Sequence, residues 1–333
     1  MFNEFRQDPV TGEWVLFAPA RARRPSAHDA GILNTDKVTC AFENPQASGN
    51  AAPVLIYSHG KEVTDLKDWT LQVIPNKFPV LHAGICGPIE MKDMIAIASG
   101  SGFHELVITR DHDRHLAQFT VEETTEVIQA YLSRYRAMSA DRCGEYIQIF
   151  HNHGYLSGAS VYHNHSQIIS MPMIPGIMQR SLEHCHAYQE KHGRALFDTL
   201  IDWERSHGNR VIYEDEHFVA LCPFVSRTPY EVKIFPKRQQ PYLTDITEAE
   251  IPALARVLQM VLAKINLELK NVDYTFVINA SPVHHRGEAM YDAYCWHIEI
   301  MPRFSLLAGL ELGTGILVNT TDPDEAAQTL RTS

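Results

Sequence analysis

The chain has 333 residues, of which 45% are hydrophobic and 21% are charged, and its formal net charge is −11 at pH 7. This is enough apolar material for one large domain or two ordinary ones, and no apolar run approaches the roughly 20 residues that cross a bilayer. An acidic chain also lacks the basic face that binds a phosphate backbone, so we expect neither a nucleic acid nor a membrane as a partner. The N-terminal residues lack a basic stretch followed by an apolar core, and we therefore expect a cytoplasmic protein.

Two further features of the sequence, an arginine cluster and the cysteines, bear on possible phosphate and metal binding. Arg21, Arg23 and Arg24 crowd one short segment, which could be a solvated turn or part of a phosphate site. The six cysteines are scattered along the chain with no dense framework, which predicts reduced thiols, with one or two of them available to bind a metal.

Further along, the chain contains two stretches with the same order of predicted elements. The first runs from "FHELVITRDHDRHL" through the helical "TVEETTEVIQAYLSRYRAM" and the strand "EYIQIFHNHG" to "YHNHSQII". The second runs from "PYEVKIFPKRQQPYL" through "TEAEIPALARVLQMVLAKI" and "YTFVINASP" to "CWHIEIMPR". Each helix follows a candidate N-cap, Thr120 in the first and Thr247 in the second. Agreement in order, helix length and closing motif favours an internal duplication over coincidence.

Each repeat closes on a strand that presents polar side chains at alternate positions. Because side chains alternate along a strand, His163, His165 and Gln167 share one face, as do His297 and Glu299. The preceding "HNHGYLSGAS" adds glycines that permit close backbone approach, with Asn152 and Ser160 as hydrogen-bond donors. The pattern indicates a phosphate pocket on the first repeat.

A neutral imidazole is a competent nucleophile toward phosphorus, and a covalent phosphoramidate divides a transfer into two displacements. We assign His165 as the nucleophile, with His163 beside it to hold its surroundings in place. Gln167 can donate a hydrogen bond to a phosphate oxygen without offering an ionisable proton, which favours a persistent intermediate over immediate hydrolysis.

The segment "GASVYHNHSQII" resembles the active-site motif of the galactose-1-phosphate uridylyltransferase family, the transferase branch of the histidine-triad superfamily. The similarity continues in "DPVTGEWVLFAPARARRP", "VIPNKFPVL" and "CWHIEIMPR…AGLELGTGILVN", and so spans nearly the whole chain. It implies an α+β protein of two histidine-triad-like repeats, each an antiparallel sheet with a helix, which we divide at residues 1–190 and 191–333. It also implies a homodimer.

The activity that the resemblance implies is nucleotidyltransfer through a nucleotidyl-histidine. A nucleoside monophosphate, by family default UMP, would move from a nucleotide sugar to a sugar 1-phosphate. One alternative is a nucleotide-sugar or dinucleotide phosphorylase, which would use the same intermediate with inorganic phosphate as acceptor. Another alternative is a non-catalytic metal- or nucleotide-binding module. The presence of His165 argues against it, because a protein that only binds a ligand does not need a nucleophile.

Carried over by position, the resemblance assigns phosphate binding to Gln167 and to five further candidates, and sugar binding to one more. The further phosphate candidates are Arg21, Arg24, Asn76, Asn152 and Ser160, and the hexose-hydroxyl candidate is Glu311. Leu310 stands where well-known galactose enzymes have tyrosine, so the acceptor sugar stays open. Asn164 replaces the proline that usually lies between the two histidines, with an expected loss of rigidity.

The family often binds zinc, and the matching ligands here are Cys40, Glu43, His112 and His163. Glu43 stands where the second cysteine of a Cys-x-x-Cys pair would lie, and one thiolate, one carboxylate and two imidazoles still form a reasonable tetrahedral shell. A second divalent metal, such as iron or zinc, is implied at Glu183, His285 or His284, His297 and Glu299.

Overall fold

The computed structural model describes residues 3–23, 33, 35–84, 87 and 89–332, and it contains 16 strands and seven α-helices within them. The strands are β1 (Glu4–Gln7), β2 (Trp14–Phe17), β3 (Leu55–Ser58), β4 (Lys61–Glu62), β5 (Leu71–Pro75), β6 (Glu90–Lys92), β7 (Ile95–Ile97), β8 (Phe103–Thr109), β9 (Tyr146–His153), β10 (His165–Met171), β11 (Val211–Glu214), β12 (Phe218–Leu221), β13 (Val232–Pro236), β14 (Asp273–Asn279), β15 (His297–Arg303) and β16 (Leu317–Asn319). The helices are α1 (Val121–Ser139), α2 (Gly176–His192), α3 (Leu196–His207), α4 (Glu250–Glu268), α5 (Ala289–Asp292), α6 (Gly309–Thr314) and α7 (Pro323–Thr332).

Eleven of the strands form one antiparallel sheet in the order β11-β12-β13-β15-β14-β9-β10-β8-β5-β3-β4. The order reads symmetrically about the β14–β9 pair: β14, β15 and β13 on one side correspond to β9, β10 and β8 on the other. A smaller sheet, β1-β2-β16, and a hairpin, β6-β7, complete the described strands. The α+β class is thus confirmed, and this strand order is the one expected of the duplicated arrangement.

Helices α1 and α4 pack against each other on one face of the large sheet and bury its main hydrophobic core. Alternate residues of the strands point into this core, for example Ile168 of β10 and Ile298 of β15. Since their neighbours along each strand point the other way, the opposite face carries His165, Gln167 and Glu299. We call this opposite face the site face.

Only one of the two predicted helix caps has the expected geometry. The Thr120 hydroxyl accepts a hydrogen bond from the Glu123 N–H at 3.2 Å, and Glu123 reaches back to the Thr120 N–H, so α1 begins with a capping box. Helix α4 begins at Glu250, three residues beyond Thr247, and the Thr247 hydroxyl donates to the Glu250 carboxylate instead. The prediction of Thr247 as an N-cap is therefore wrong.

The two halves of the chain share the large sheet, since β9 pairs directly with β14. The predicted boundary at residue 190 lies inside α2, which ends at His192. Cys143 is disulfide-bonded, so the expectation of reduced thiols is wrong at that position, whereas Cys40, Cys185, Cys222 and Cys295 are free. No described helix is long and apolar enough to span a membrane.

Candidate active site

His165 is the first residue of β10, in the centre of the N-terminal half of the sheet, where it pairs with Ile108 of β8. Its side chain is buried, and its Nδ1 lies 2.8 Å from the carbonyl oxygen of His163. A carbonyl can only accept, so Nδ1 carries the hydrogen and Nε2 keeps its lone pair. Burial lowers the pKa of His165, which keeps the ring neutral. The ring therefore has the tautomer and charge that a nucleophile needs.

Gln167, two residues along the same strand, is held by a chain of hydrogen bonds that begins in the backbone. The Val80 N–H donates to Nδ1 of His104 at 3.2 Å, so the hydrogen of that ring lies on Nε2. This Nε2 lies 2.8 Å from Oε1 of Gln167 and donates to it. With its oxygen occupied, Gln167 has only its NH₂ group to offer a ligand, which suits a phosphate oxygen.

Asn76 belongs to the same group. Its Oδ1 accepts from the Phe78 N–H at 2.9 Å, and its Nδ2 lies 3.0 Å from Nε2 of His104, which donates to Gln167 and cannot accept from it, so the Asn76 NH₂ group stays available to a ligand. The structure therefore brings Asn76 and Gln167 together through His104, although 91 positions separate them in sequence.

The other predicted substrate ligands lie in different surroundings. Asn152 is half-buried in β9, and Ser160 is exposed in the loop before β10. Gly154, at the start of this loop, has φ +83°, and a Cβ there would lie 1.9 Å from Oδ1 of Asp273, so only glycine fits at this position. Arg21 is exposed in a short 3₁₀ helix, Pro19–Arg23.

Two predicted ligands remain, one for the phosphates and one for the hexose. Arg24 lies outside the described residues. Glu311 is in the first turn of α6, where its Oε2 accepts from the Ala308 N–H at 3.0 Å and so caps the helix. A sugar hydroxyl would have to share this carboxylate with the helix terminus.

Cys40, His112 and His163 form the one group of three or more metal-ligating side chains found in the described part of the chain. Cys40 Sγ lies 3.6 Å from Nδ1 of His163, and Nδ1 of His112 lies 3.2 Å from the same nitrogen. Ligand atoms of a tetrahedral zinc ion, at about 2.0 to 2.3 Å from the metal, lie about 3.3 to 3.8 Å apart. The three side chains thus have the spacing of a metal site.

Backbone carbonyls fix both imidazoles of this group as ligands. Nε2 of His163 lies 2.7 Å from the Thr109 carbonyl oxygen, and Nε2 of His112 lies 2.9 Å from that of Thr35. Each Nε2 must donate, so the two Nδ1 lone pairs face each other, an arrangement that a shared cation stabilises. Burial lowers the pKa of His163 to about 4, which leaves it unprotonated.

Glu43 lies at the edge of this group. Its Oε2 is 3.7 Å from Nδ1 of His112, and it is buried with no hydrogen-bond partner among the described residues. An orphaned buried carboxylate oxygen beside three ligands is the feature expected of a fourth ligand, so the residues present fit a metal ion.

Asn164 compensates for the missing proline. Its side chain points away from the two histidines, where its Oδ1 accepts from the Leu116 N–H at 3.3 Å and its Nδ2 donates to Thr109 Oγ1 at 3.1 Å. The expected loss of rigidity is therefore offset by two buried hydrogen bonds, one of them to the end of β8.

The four residues of the predicted second metal site do not form a group of the kind seen at Cys40. Glu183 accepts a hydrogen bond from Gln179 on α2, and His285 pairs with Glu145 and Glu288 at 3.0 and 2.9 Å. Glu299 accepts two hydrogen-bonding contacts from Arg227, at 2.5 and 3.1 Å. His284 contacts the Asp141 carbonyl oxygen.

Two residues of the site escaped the sequence reasoning. Phe42 packs edge-on against His165 with ring centroids 5.0 Å apart, and so covers this ring from the segment that carries Cys40. His104 orients Gln167, as described above. The only signal for His104 was its polar side chain in a mainly apolar strand, and nothing local marked Phe42.

The fold and site define a class: an α+β protein in which a buried histidine that keeps the Nε2 lone pair lies beside a group of metal-ligating side chains. The family model described as "Galactose-1-phosphate uridyl transferase, N-terminal domain" matches residues 1–175, and a model for a domain of unknown function matches residues 91–332. The chain belongs to the galactose-1-phosphate uridyl transferase family, which is a family of nucleotidyltransferase enzymes.

The chain is similar to proteins with two different named activities. An ADP-glucose phosphorylase of Arabidopsis thaliana is 29% identical over 338 residues, covering 98% of this chain and 92% of the relative. A galactose-1-phosphate uridylyltransferase of Thermotoga maritima is 28% identical and covers 98% of both chains. The crystal structure of an Arabidopsis ADP-glucose phosphorylase with bound ADP-glucose superimposes with a TM-score of 0.82 at 27% identity, covering 100% of this chain and 99% of that one.

Proposed function

We propose that the protein transfers a nucleoside monophosphate from a nucleotide sugar to a sugar 1-phosphate through a covalent nucleotidyl-His165, with UMP as the nucleotidyl group. The observation that carries the proposal is the hydrogen bond from Nδ1 of His165 to the His163 carbonyl, which leaves Nε2 as a lone pair on a neutral ring. Family membership and the match to relatives that act on such substrates support it.

In the first half-reaction, Nε2 of His165 attacks the phosphorus of the nucleotidyl group. An N–P bond forms, the bond from phosphorus to the bridging oxygen breaks, and the sugar 1-phosphate departs. The ring gains positive charge as this happens, and the Nδ1–H to carbonyl hydrogen bond strengthens with that charge. In the second half-reaction, a phosphate oxygen of the acceptor attacks the same phosphorus, and the N–P bond breaks.

Gln167 and Asn76 are the amide donors for the phosphate oxygens, with Asn152 and Ser160 as further hydrogen-bonding groups and Arg21 and Arg24 as cations. Because Gln167 has no titratable proton, it can stabilise the phosphoryl oxygens without protonating the leaving imidazole. The amide therefore protects the intermediate between the two half-reactions.

We assign zinc to Cys40, Glu43, His112 and His163. When bound, zinc supplies a fixed structural link between the N-terminal segment and the residue two positions before the nucleophile. Cys40 and His163 are 123 residues apart in sequence, and Phe42 packs on His165 from the same segment. These residues hold the nucleophile ring in its orientation.

A phosphorylase is the second candidate, favoured by the similarity to the ADP-glucose phosphorylase over nearly the whole chain. The first half-reaction is the same, but inorganic phosphate would take the nucleotidyl group. In α6, Leu310 has no group that can bind a sugar hydroxyl, and the Glu311 carboxylate already caps the helix. An acceptor smaller than a hexose phosphate is compatible with this arrangement.

Intact-mass measurement after incubation with UDP-glucose or ADP-glucose tests the common intermediate. We expect a mass increase of one nucleoside monophosphate that is absent in His165→Ala. Adding galactose 1-phosphate or inorganic phosphate to the labelled protein then separates the two acceptors by which one discharges it. No covalent nucleotide with either donor would contradict the proposed function.

A further inference from the structure

A cavity of about 800 Å³ lies on the site face of the C-terminal half. Its floor is formed by β13, β14 and β15, and its walls by α2, α3 and the N-terminal strand β1. The walls are mainly apolar and include Met178, Phe197, Trp203 and Phe224. A cavity of this size and lining is within the range of small-molecule pockets.

The floor of the cavity occupies the same place in the second half of the sheet as the nucleophile strand does in the first. In the symmetric strand order, β15 corresponds to β10, and both strands begin at a histidine whose Nδ1 contacts the carbonyl oxygen two residues earlier, so His297 and Glu299 take the places of His165 and Gln167. The position of the nucleophile therefore holds a second histidine, and the position of Gln167 holds a carboxylate that lies against two cations.

These charges are compensated within the protein. Arg227 contacts Glu299 through Nη2 and Nε at 2.5 and 3.1 Å. Lys233 Nζ lies 3.6 to 3.7 Å from carboxylate oxygens of Asp8, Glu231 and Glu299. Burial and the neighbouring Glu299 carboxylate raise the pKa of Glu231 to about 8, so its neutral form predominates at pH 7. Two cations then balance the two remaining anions.

Arg303, at the end of β15, also lines the cavity, and its charge is not compensated. Among the described residues, no acidic side chain lies within 4.0 Å of it and no group accepts a hydrogen bond from it. Thr228 lines the same cavity, and its buried hydroxyl has no hydrogen-bond partner within the described part of the chain. A partly buried guanidinium and an unused hydroxyl are groups that a bound anion would satisfy.

His297 completes the polar lining without offering a second catalytic group. Its Nδ1 lies 3.1 Å from the Cys295 carbonyl, and burial, reinforced by the Lys233 charge, lowers its pKa to about 4. Its Nε2 lies 3.4 Å from Nδ2 of Asn279, which can donate to it. The ring is neutral, and its second nitrogen has a donor beside it.

We propose that this cavity is a second, non-catalytic site for a nucleoside phosphate, with the phosphate on Arg303 and the base among the aromatic walls. The choice of a nucleotide rests on the proposed function, because it takes the ligand class from the site at the corresponding strand. A planar aromatic ring suits Trp203 and Phe224, which are 39% and 37% exposed. Glu299 is paired with Arg227, and Nε2 of His297 has the Asn279 amide beside it, so neither residue attacks phosphorus and the ligand leaves unchanged.

Equilibrium dialysis of the full chain with UDP and with ADP tests the site, with tryptophan emission as a second readout. We expect two equivalents per chain, and in Arg303→Gln one of the two should weaken roughly 10- to 100-fold, as befits the loss of a charge-assisted contact. Arg136→Gln, an exposed arginine on α1, is the matched control and should bind like the parent chain. Trp203→Phe should remove the emission change of the second equivalent.

An Arg303→Gln chain that binds the same number of equivalents as the parent, with the same affinities, overturns the second site. Thr228→Val is an independent test: it should also weaken binding of the second equivalent, and it does not alter the charge of the cavity. The failure of the proposed function is distinguishable, because it would appear as no covalent nucleotide on His165, whatever the number of reversibly bound equivalents.

Discussion

Strands β10 and β15 occupy corresponding places in one sheet and both begin with a neutral histidine, yet the charges around their site faces differ. On β10, His165 is neutral and keeps a free lone pair, and Gln167 keeps a free NH₂ group. On β15, Glu299 is paired with Arg227 and has Lys233 nearby. The fold thus supplies two equivalent positions, and the surrounding charges decide that one keeps its polar atoms for a substrate and the other uses them internally.

The sharpest way to break this comparison is to remove His165, the proposed nucleophile. We expect His165→Ala to lower nucleotidyl transfer by at least about 10³-fold, because no other imidazole on β10 can attack phosphorus. Steady-state kinetics and intact-mass labelling measure the loss, and a melting curve close to that of the parent shows that the fold is kept. Turnover within tenfold of the parent would contradict a covalent mechanism.

A substitution on the site face of β15 should instead cost stability. Glu299→Gln leaves the partly buried Arg227 and the buried Lys233 without their main anion, which we expect to lower the free energy of unfolding by about 3 to 5 kcal/mol. Urea denaturation measures this, with the exposed Glu248→Gln as a control that should change it by less than about 0.5 kcal/mol. A loss as small as that of the control would show that the ion pairs on β15 are not needed for folding.

Within the residues that the structure describes, the group of metal-ligating side chains lies on the β10 side of the sheet, and Glu43 is its proposed fourth ligand. We expect Glu43→Ala to weaken zinc binding by about 10- to 100-fold and to lower the melting temperature, whereas Glu43→Cys should bind zinc more tightly, because thiolate is the softer ligand. Metal analysis and melting curves on both variants check this. Equal metal content in parent and both variants would remove Glu43 from the site.

The smallest expected effect concerns the residue that orients Gln167. His104→Leu removes the donor to Gln167 Oε1, so the amide can turn its oxygen toward the phosphate, and we expect kcat to fall about tenfold. His104→Gln, which keeps an N–H donor, should recover part of the loss, while KM changes little in either variant. If both variants lose the same activity, His104 contributes packing and does not orient the amide.

The sequence alone predicts several features of the fold and the site, because these features depend on local periodicity and local chemistry. Alternation along a strand was enough to place His165 and Gln167 on one face, and an acid-rich first turn after Thr120 was enough to predict the start of α1. The same reasoning failed at Thr247, where the helix starts one turn later because the Thr247 hydroxyl donates to Glu250 and is not used to cap the helix.

Contacts between residues far apart in the chain were decided only by the tertiary structure. The pairing of β9 with β14 joins the halves into one sheet, and Arg227 meets Glu299 across 72 positions, which turns a predicted metal ligand into a paired anion. Phe42 reaches His165 in the same way. Such contacts depend on which strands become neighbours and on which charges are buried together. The periodicity of a single segment predicts neither the neighbouring strands nor the buried charge pairs.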